Sequence, residues 1–256
     1  GEKISAFLTT DGQLYVTGSE YKILTKIENL PPLSIISCGS NKILAIPKKQ
    51  KGLFVIFSPS NVKFYEKDKN FIDCSAGRDF FLALDDSGIA YSWGTNIAVG
   101  CGDIQATKPI QLKTIKPSIQ KVFSCYDQSI LVAEDHSLFV AGNNHFNQFG
   151  IQSKNDFFSF FQIPIDFTKK KIDRIVFSEK VTYVLDSSGS VFCSSGSATS
   201  YLSQMINDDD VDFRSKISTF KKMKFQNNLI VTNLAAGSDH VIFAANLGTF
   251  GNNRFV

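Results

Sequence analysis

The chain has 256 residues, of which 43% are hydrophobic, and its formal net charge is +3 at pH 7. This near balance of charge argues against the strongly basic stripe of a dedicated nucleic-acid-binding protein. The apolar content is sufficient for a core, and β-rich chains of this length often form a single domain.

One pattern recurs along the chain at a period of about forty to fifty residues. Each copy has a short apolar run, a polar tip that usually contains glycine, a second apolar run and a closing glycine. Internal repetition at this period is typical of propellers and solenoids. We expect one domain, residues 1–256, with repeats at approximately 1–34, 35–71, 72–118, 119–171, 172–228 and 229–256.

The first copy opens partway through the pattern, at Ala6, with a tip at Gly12 and a closing glycine at Gly18. The second copy, around residues 36–57, is degraded. Its tip at residues 47–51 contains three lysines. Such basic tips are usually solubility devices, although they also attract acidic surfaces.

The third copy is the clearest. An apolar run at residues 80–84 leads to a tip that ends at Gly88, and a return run leads to Trp93 and the closing Gly94. The fourth copy repeats this order and closes at Gly142.

Longer links, after Gly150 and after Gly196, precede the last two copies. The fifth has its tip at Gly189 and closes at Gly196, and the sixth runs from Gly237 to Gly251. We expect the phenylalanine-rich segment 157–161 to form an outer strand. The acidic run 208–210 is predicted to be a solvated loop, because it lacks the glycine turn and distal glutamate of a calcium loop.

Each copy is predicted to form a β-hairpin preceded by another strand. The apolar runs are too short for helices, and Asp-x-x-Gly tips supply the positive φ of a tight hairpin. A single copy exposes two apolar faces, so several copies must pack side by side. The predicted fold is therefore all-β, a β-propeller of six or seven blades with almost no helix.

Residues 92–96 read Ser-Trp-Gly-Thr-Asn, residues 142–150 read Gly-Asn-Asn-His-Phe-Asn-Gln-Phe-Gly, and residues 237–240 read Gly-Ser-Asp-His. These segments resemble, in that order, the Trp-Gly-x-Asn turn, the turn together with the Gly-Gln-Leu-Gly element, and the Gly-x-x-His start of repeats in the regulator of chromosome condensation family of β-propellers. Most turns lack the tryptophan, so the chain resembles a divergent member, similar also to the β-lactamase-inhibitory protein II type of propeller. Members usually close seven blades, which leaves either a six-bladed ring or part of a longer multidomain protein.

The resemblance assigns a structural role to the repeat residues, namely Gly12, Gly18, Gly88, Trp93, Gly94, Gly142, Gly189, Gly196, Gly237 and Gly251. It also implies that the loops at the Gly-x-x-His position line the face that meets a partner. In this chain those loops hold Asn41, Lys42, Arg78, Asp79, Tyr126, Asp127, Glu179, Lys180, Asp239 and His240.

Two functions follow from these assignments. The first is a non-catalytic protein-interaction module, a rigid scaffold with a regulatory role in a multidomain signalling protein. The alternative, implied by the resemblance, is a guanine-nucleotide exchange factor for a Ran-like small GTPase with chromatin association. Exchange requires an element that reaches beyond the rim, and the sequence shows no obvious projecting hairpin.

We do not expect an enzyme active site. The three histidines, His136, His145 and His240, all occupy repeat positions, and no nucleophile elbow, phosphate loop or dinucleotide fingerprint is present. The five cysteines contain no Cys-x-x-Cys pair and are expected to be buried free thiols. We expect no cofactor, no metal, no membrane insertion, and a monomer in the cytoplasm or nucleus.

Overall fold

The computed structural model describes residues 1–18, 21–102, 106–151, 153, 155–164, 170–195, 217–225 and 229–247. Nearly all of the regular structure in these residues is β-strand, and a single 3₁₀ turn, Ile97–Val99, is the only helical element there. Gly196, Gly251 and the acidic run 208–210 lie outside the described residues. The prediction of an all-β chain is confirmed.

The described strands form six antiparallel sheets, and the strands of each sheet are neighbours in chain order. We call these sheets blades 1 to 6. Blades 2 to 5 have four strands each, whereas the described residues supply three strands to blade 1 and two to blade 6. Consecutive up-and-down sheets of this kind are the units of a β-propeller.

The chain divides into two compact units. Unit 1 comprises Gly1–Asn143 and Asn155–Pro164. Its strands are β1 (Ser5–Leu8), β2 (Leu14–Gly18) and β3 (Tyr21–Lys26) in blade 1; β4 (Leu33–Cys38), β5 (Ile43–Pro47), β6 (Leu53–Ser58) and β7 (Asn61–Tyr65) in blade 2; β8 (Phe71–Ala76), β9 (Phe80–Asp85), β10 (Ala90–Gly94) and β11 (Ala106–Gln111) in blade 3; and β12 (Ile119–Cys125), β13 (Gln128–Ala133), β14 (Leu138–Gly142) and β15 (Phe157–Gln162) in blade 4.

Unit 2 comprises Asn144–Lys154 and Ile165–Val256. Its described strands are β16 (Ile172–Phe177), β17 (Thr182–Asp186), β18 (Val191–Ser195) and β19 (Ile217–Lys222) in blade 5, and β20 (Leu229–Ala236) and β21 (Val241–Leu247) in blade 6.

The second strand of each four-stranded blade is buried along its whole length. β5, β9, β13 and β17 show this pattern, which explains their nearly continuous apolar sequences. The fourth strands are more exposed. The predicted outer strand at residues 157–161 is β15, where Phe158 and Phe161 are about half exposed and Phe160 packs against the core of blades 2 to 4.

Buried aspartates organise the hairpins between the second and third strands. Asp85 Oδ1 accepts hydrogen bonds from the backbone N–H groups of Ser87 and Ile89, each at 3.0 Å. The Tyr91 hydroxyl donates to Asp85 Oδ2, also at 3.0 Å. Because Gly88 has φ +75°, the tip closes in a conformation that glycine adopts without strain. Asp186 and Gly189 repeat this arrangement in blade 5.

Closing glycines bring the end of the third strand against the hairpin that joins the first two strands. Gly94 has φ +139°, and a Cβ atom added there would lie 2.4 Å from the carbonyl oxygen of Asp79. This close approach lets the Thr95 N–H donate to that oxygen at 3.0 Å. Gly142 does the same in blade 4, where the Asn143 N–H donates to the Asp127 carbonyl at 2.8 Å. Glycine at these positions therefore fixes the first hairpin of the blade.

Trp93 lies in the core that unites blades 2 to 4 and is only 3% exposed. Its ring centroid lies 5.3 Å from that of Phe81 and 6.4 Å from that of Tyr65 on the neighbouring blade. The tryptophan therefore joins two blades through aromatic contacts.

We predict that Trp93→Ala lowers the free energy of unfolding by about 3–5 kcal/mol, because it leaves a cavity between two blades. Denaturant unfolding monitored by circular dichroism measures the change. The control is Phe158→Ala, which truncates an aromatic ring that is 48% exposed and should change stability by about 1 kcal/mol or less. Equal, small losses in both variants would contradict a core role for Trp93.

We predict that Gly94→Ala is more harmful than a glycine substitution made without a steric clash. Gly102 also has positive φ, +73°, but an added Cβ would meet nothing closer than 4.0 Å. Gly102→Ala should cost about 1–2 kcal/mol from backbone strain alone, whereas Gly94→Ala should cost about 3 kcal/mol. Thermal unfolding of the two variants gives the comparison, and equal losses would show that the contact with Asp79 is unimportant.

Candidate functional site

The hairpins between the first and second strands have two-residue tips. The register places Gly39 opposite Lys42, Gly77 opposite Phe80, Cys125 opposite Gln128, Ser178 opposite Val181 and Gly237 opposite His240. The tip residues of blades 2 to 6 are therefore Ser40-Asn41, Arg78-Asp79, Tyr126-Asp127, Glu179-Lys180 and Ser238-Asp239. In blade 1 the equivalent tip is Glu2-Lys3. An added Cβ at Gly18 would lie 2.6 Å from the Lys3 carbonyl oxygen, just as one at Gly94 would lie 2.4 Å from the Asp79 carbonyl oxygen.

This register refines the residues selected from the sequence. Arg78, Asp79, Tyr126, Asp127, Glu179 and Lys180 are tip residues, as are Asn41 and Asp239. Lys42 and His240 follow their tips by one residue. The sequence reasoning missed Ser40 and Ser238, although a uniform count from Gly39 and Gly237 would have identified both.

Arg78 is the centre of the charged groups on the tips of unit 1. Its Nε donates to Glu2 Oε1 at 2.9 Å, and its Nη1 lies 3.4 Å from Asp127 Oδ2. The guanidinium carbon also lies 5.7 Å from the centroid of the Tyr126 ring. One arginine thus contacts the tips of blades 1 and 4 while it belongs to blade 3.

Further side chains extend this network. Lys42 Nζ pairs with Asp79 Oδ1 at 3.0 Å, and the Ser40 hydroxyl donates to Glu2 Oε2 at 2.9 Å. Burial alone would raise the pKa of Glu2, but the hydrogen bonds from Arg78 and Ser40 and the charge of Arg78 outweigh it and lower that pKa below its ordinary value. Glu2 is therefore held as a carboxylate at neutral pH.

The asparagine of the Trp-Gly-x-Asn turn belongs to the same network. Asn96 Oδ1 accepts from the Ala98 N–H at 2.9 Å and so caps the 3₁₀ turn. Its Nδ2 donates to Asp127 Oδ1 at 2.6 Å, on the tip of the next blade. The sequence identified this turn as a structural motif, but its bond to a rim residue depends on packing between blades.

Backbone hydrogen bonds also join the tips. The Arg78 N–H donates to the Tyr126 carbonyl at 2.8 Å, and the Lys3 N–H donates to the Ser40 carbonyl at 3.0 Å. Side chains and backbone together make a continuous polar surface, which we call the tip belt. It consists of Glu2, Lys3, Ser40, Asn41, Lys42, Arg78, Asp79, Asn96, Tyr126 and Asp127.

The tips of unit 2 are joined in a similar way but carry a different side-chain arrangement. The Glu179 N–H donates to the Ser238 carbonyl at 3.1 Å. Lys180 Nζ lies 5.3 Å from the centroid of the Phe146 ring. Asp239 and His240 are exposed at the adjacent tip. Within unit 2, these residues form a second polar surface with an aromatic component.

Phe146 was not selected from the sequence. It lies in the loop that matches the Gly-Gln-Leu-Gly element, where Asn144, Gln148 and Phe149 are buried while His145 and Phe146 are exposed. Asn144 Oδ1 accepts from the Phe149 N–H at 3.0 Å, and Gln148 Oε1 accepts from the Phe146 N–H at 2.9 Å. These buried residues and hydrogen bonds hold the loop in place and leave His145 and Phe146 exposed.

The described residues contain no cluster of metal ligands and no disulfide. No group of three or more His, Cys, Asp or Glu side chains there could hold a metal ion. All five cysteines are free, with Cys74 and Cys193 buried. Burial raises the pKa of the Cys193 thiol to about 12 and that of Cys125 to about 11, so both stay protonated at neutral pH.

Among the described residues, no helix has the length and apolar character needed to cross a bilayer.

Comparison with known proteins gives matches in structure. No protein-family model matches the chain. Its structure is similar to yeast RCC1 (Prp20) in complex with Kap60, with a TM-score of 0.77 and 15% identity over 96% of this chain and 66% of that one. A structure of Prp20p from Saccharomyces cerevisiae, reported with its binding properties to Gsp1p and histones, matches with a TM-score of 0.77 and 15% identity over 96% of this chain and 68% of that one.

Human WBSCR16 is also similar, with a TM-score of 0.70 and 15% identity over 88% of this chain and 62% of that one. The chain thus spans about two thirds of the length of the proteins it matches. At this level of identity the likeness concerns the fold. The chain has an RCC1-like β-propeller fold.

Proposed function

We propose that this chain is a non-catalytic protein-interaction module that binds a partner protein through the tip belt. The observation that carries this proposal is the Arg78 network, which joins the tips of blades 1, 3 and 4 by ion pairs to Glu2 and Asp127. A surface linked in this way is ordered before binding, so association costs little side-chain entropy.

The charge of the tip belt favours a protein partner over a nucleic acid. The belt holds three basic side chains, Lys3, Lys42 and Arg78, and three acidic ones, Glu2, Asp79 and Asp127. Phosphate backbones select surfaces with an excess of lysine and arginine. A balanced belt with exposed hydrogen-bonding groups instead suits the mixed polar surface of a protein.

Arg78 and Tyr126 supply the residue types that dominate binding energy in protein interfaces. The Arg78 side chain is 44% exposed despite its two ion pairs, and Tyr126 lies beneath it with φ +46° on the tip of blade 4. A partner that covers this pair would bury an aromatic ring and desolvate a guanidinium whose acidic partners are already in place. We therefore place the centre of the interface at Arg78 and Tyr126.

The polar surface of unit 2, with Glu179, Lys180, Asp239 and His240, is proposed as a further contact region. The remaining features of the proposal are a regulatory role in signalling within a longer multidomain protein, a single propeller domain, a monomeric state, and a location in the cytoplasm or nucleus. These features are proposed together with the interaction role.

The second candidate function is guanine-nucleotide exchange on a Ran-like small GTPase, with chromatin association. The similarity to Prp20p, a protein reported to bind Gsp1p and histones, favours it. The hairpins between the first and second strands favour it less, since each described tip there has two residues. For this reason the interaction role is preferred.

We predict that Arg78→Gln combined with Tyr126→Ala weakens binding of the partner about tenfold or more, because the two side chains form the centre of the proposed interface. The partner is first captured from extract on immobilised wild-type chain and identified, and its affinity is then measured with purified proteins. The control variant, Lys108→Gln with Lys113→Gln, removes exposed charge from unit 1 outside the belt and should bind normally. Equal binding by both variants would refute the tip belt as the interface.

We predict that the chain does not accelerate release of labelled GDP from Ran when it is added in catalytic amounts. The assay is repeated with other members of the small GTPase superfamily. Acceleration that disappears in the Arg78→Gln, Tyr126→Ala variant would establish the exchange function instead and would place it at the same belt.

A further inference from the structure

A second charged surface lies at the other end of β5, away from the tip belt. The hairpin between β5 and β6 has its tip at residues 48–51, and the link from β7 to β8 covers residues 66–70. The Gly52 N–H donates to the Lys69 carbonyl at 2.7 Å, and the Lys69 N–H donates to the Glu66 carbonyl at 3.0 Å. These bonds place the hairpin tip directly beside the link.

Lysines dominate both segments. Residues 48–51 and 66–69 contain five lysines, Lys48, Lys49, Lys51, Lys67 and Lys69, against Glu66 and Asp68. The excess of three positive charges equals the formal net charge of the entire chain, +3. No salt bridge joins any of the five to another described residue. The five lysines form what we call the basic edge, which contrasts with the internally paired tip belt.

The backbone beneath the basic edge is firmly held. Gly52 has φ +94°, and an added Cβ there would lie 2.6 Å from the Phe64 ring. Phe64 stacks on Phe54 with centroids 4.5 Å apart, and Lys67 Nζ lies 6.0 Å from the centroid of Phe64. Lys48 Nζ donates to the Thr10 carbonyl on blade 1 at 2.8 Å. The lysines therefore project from a fixed hairpin and link.

We infer that the basic edge is a docking surface for an acidic segment of a protein, rich in aspartate and glutamate. Lys48 interacts electrostatically with Asp11 of blade 1, but none of the five lysines forms a salt bridge with a described residue. An incoming carboxylate would therefore not have to displace an existing salt bridge. This surface is distinct from the tip belt and does not depend on the function proposed for it.

The edge lacks the features that would select a nucleic acid or a lipid bilayer. It contains no arginine, the residue preferred for recognition of nucleic-acid phosphates. Phe64 is half-buried, is stacked on Phe54 and has Lys67 Nζ 6.0 Å from its ring centroid, so it is not a free platform for a base. None of the exposed large hydrophobic residues described falls between residues 47 and 70, so nothing there would insert into a lipid bilayer.

The experiment measures binding of a fluorescent peptide of roughly ten glutamates by anisotropy, with a glutamine peptide of equal length as the neutral probe. The basic-edge variant is Lys49→Gln, Lys51→Gln and Lys67→Gln. The matched control, Lys22→Gln, Lys108→Gln and Lys113→Gln, removes the same charge from exposed positions elsewhere in unit 1. Circular dichroism confirms that both variants are folded.

We expect the wild-type chain to bind the glutamate peptide and not the glutamine peptide, with affinity that falls as salt shortens the electrostatic range. The basic-edge variant should lose about tenfold in affinity, because each exposed lysine–glutamate pair with the peptide is weak but three of them are removed together. The control should stay within about twofold of wild type.

The inference fails if both variants lose affinity equally or if the wild-type chain does not bind the peptide. Duplex DNA and vesicles rich in phosphatidylserine are tested with the same proteins, and tighter binding of either one at equal salt would overturn the assignment to an acidic protein segment. The Arg78→Gln, Tyr126→Ala variant should still bind the glutamate peptide, which separates this surface from the tip belt.

Discussion

The backbone hydrogen bond from Thr95 to the Asp79 carbonyl, repeated by Asn143 and Asp127, is the constraint on which the candidate site depends. It forms only because Gly94 and Gly142 carry no Cβ atom at the point of closest approach. In blades 3 and 4 the bond ties the third strand to the hairpin between the first and second strands, so the tips of these two blades are held against the buried sheet. The tips are then close enough to bond to one another.

Two kinds of charged surface arise on the same scaffold for different physical reasons. On the tip belt, adjacent tips place opposite charges within reach, and Arg78 is neutralised by Glu2 and Asp127. Such a surface gains specificity from geometry rather than from long-range attraction. On the basic edge the lysines form no salt bridge with any described residue, so attraction over distance is its main property.

The sequence was sufficient for the fold because the fold depends on local signals. Tips such as 85–88, with Gly88 at positive φ, and short apolar runs such as 80–84 specify hairpins without reference to distant residues. The degraded second copy was recognised by the same rule, although it lacks a closing glycine and has a basic tip. The outer strand at residues 157–161 was also predicted, because a run of phenylalanines in a link can pack beside the neighbouring strand at the edge of the sheet.

The site was predicted less completely, because it depends on contacts between blades. Arg78 and Asp127 were selected as rim residues, but their ion pair joins residues 49 positions apart in the chain, and Glu2 lies 76 positions from Arg78. No local pattern indicates these partners. Phe146 was missed because the motif around it accounts for the buried residues Asn144, Gln148 and Phe149 and leaves the exposed positions unspecified.

Hydrogen–deuterium exchange of the free chain and of its complex with the captured partner tests whether a rigid tip belt is the partner-binding surface. The backbone amides of Arg78, Thr95 and Asn143 should exchange slowly in the free chain, because all three are hydrogen-bonded at the tips. Partner binding should add protection at residues 78–79 and 126–127 and leave the hairpin at 85–88 unchanged. Rapid exchange of the three amides in the free chain would show that the belt is not rigid, and new protection confined to residues outside the belt would show that the partner binds elsewhere.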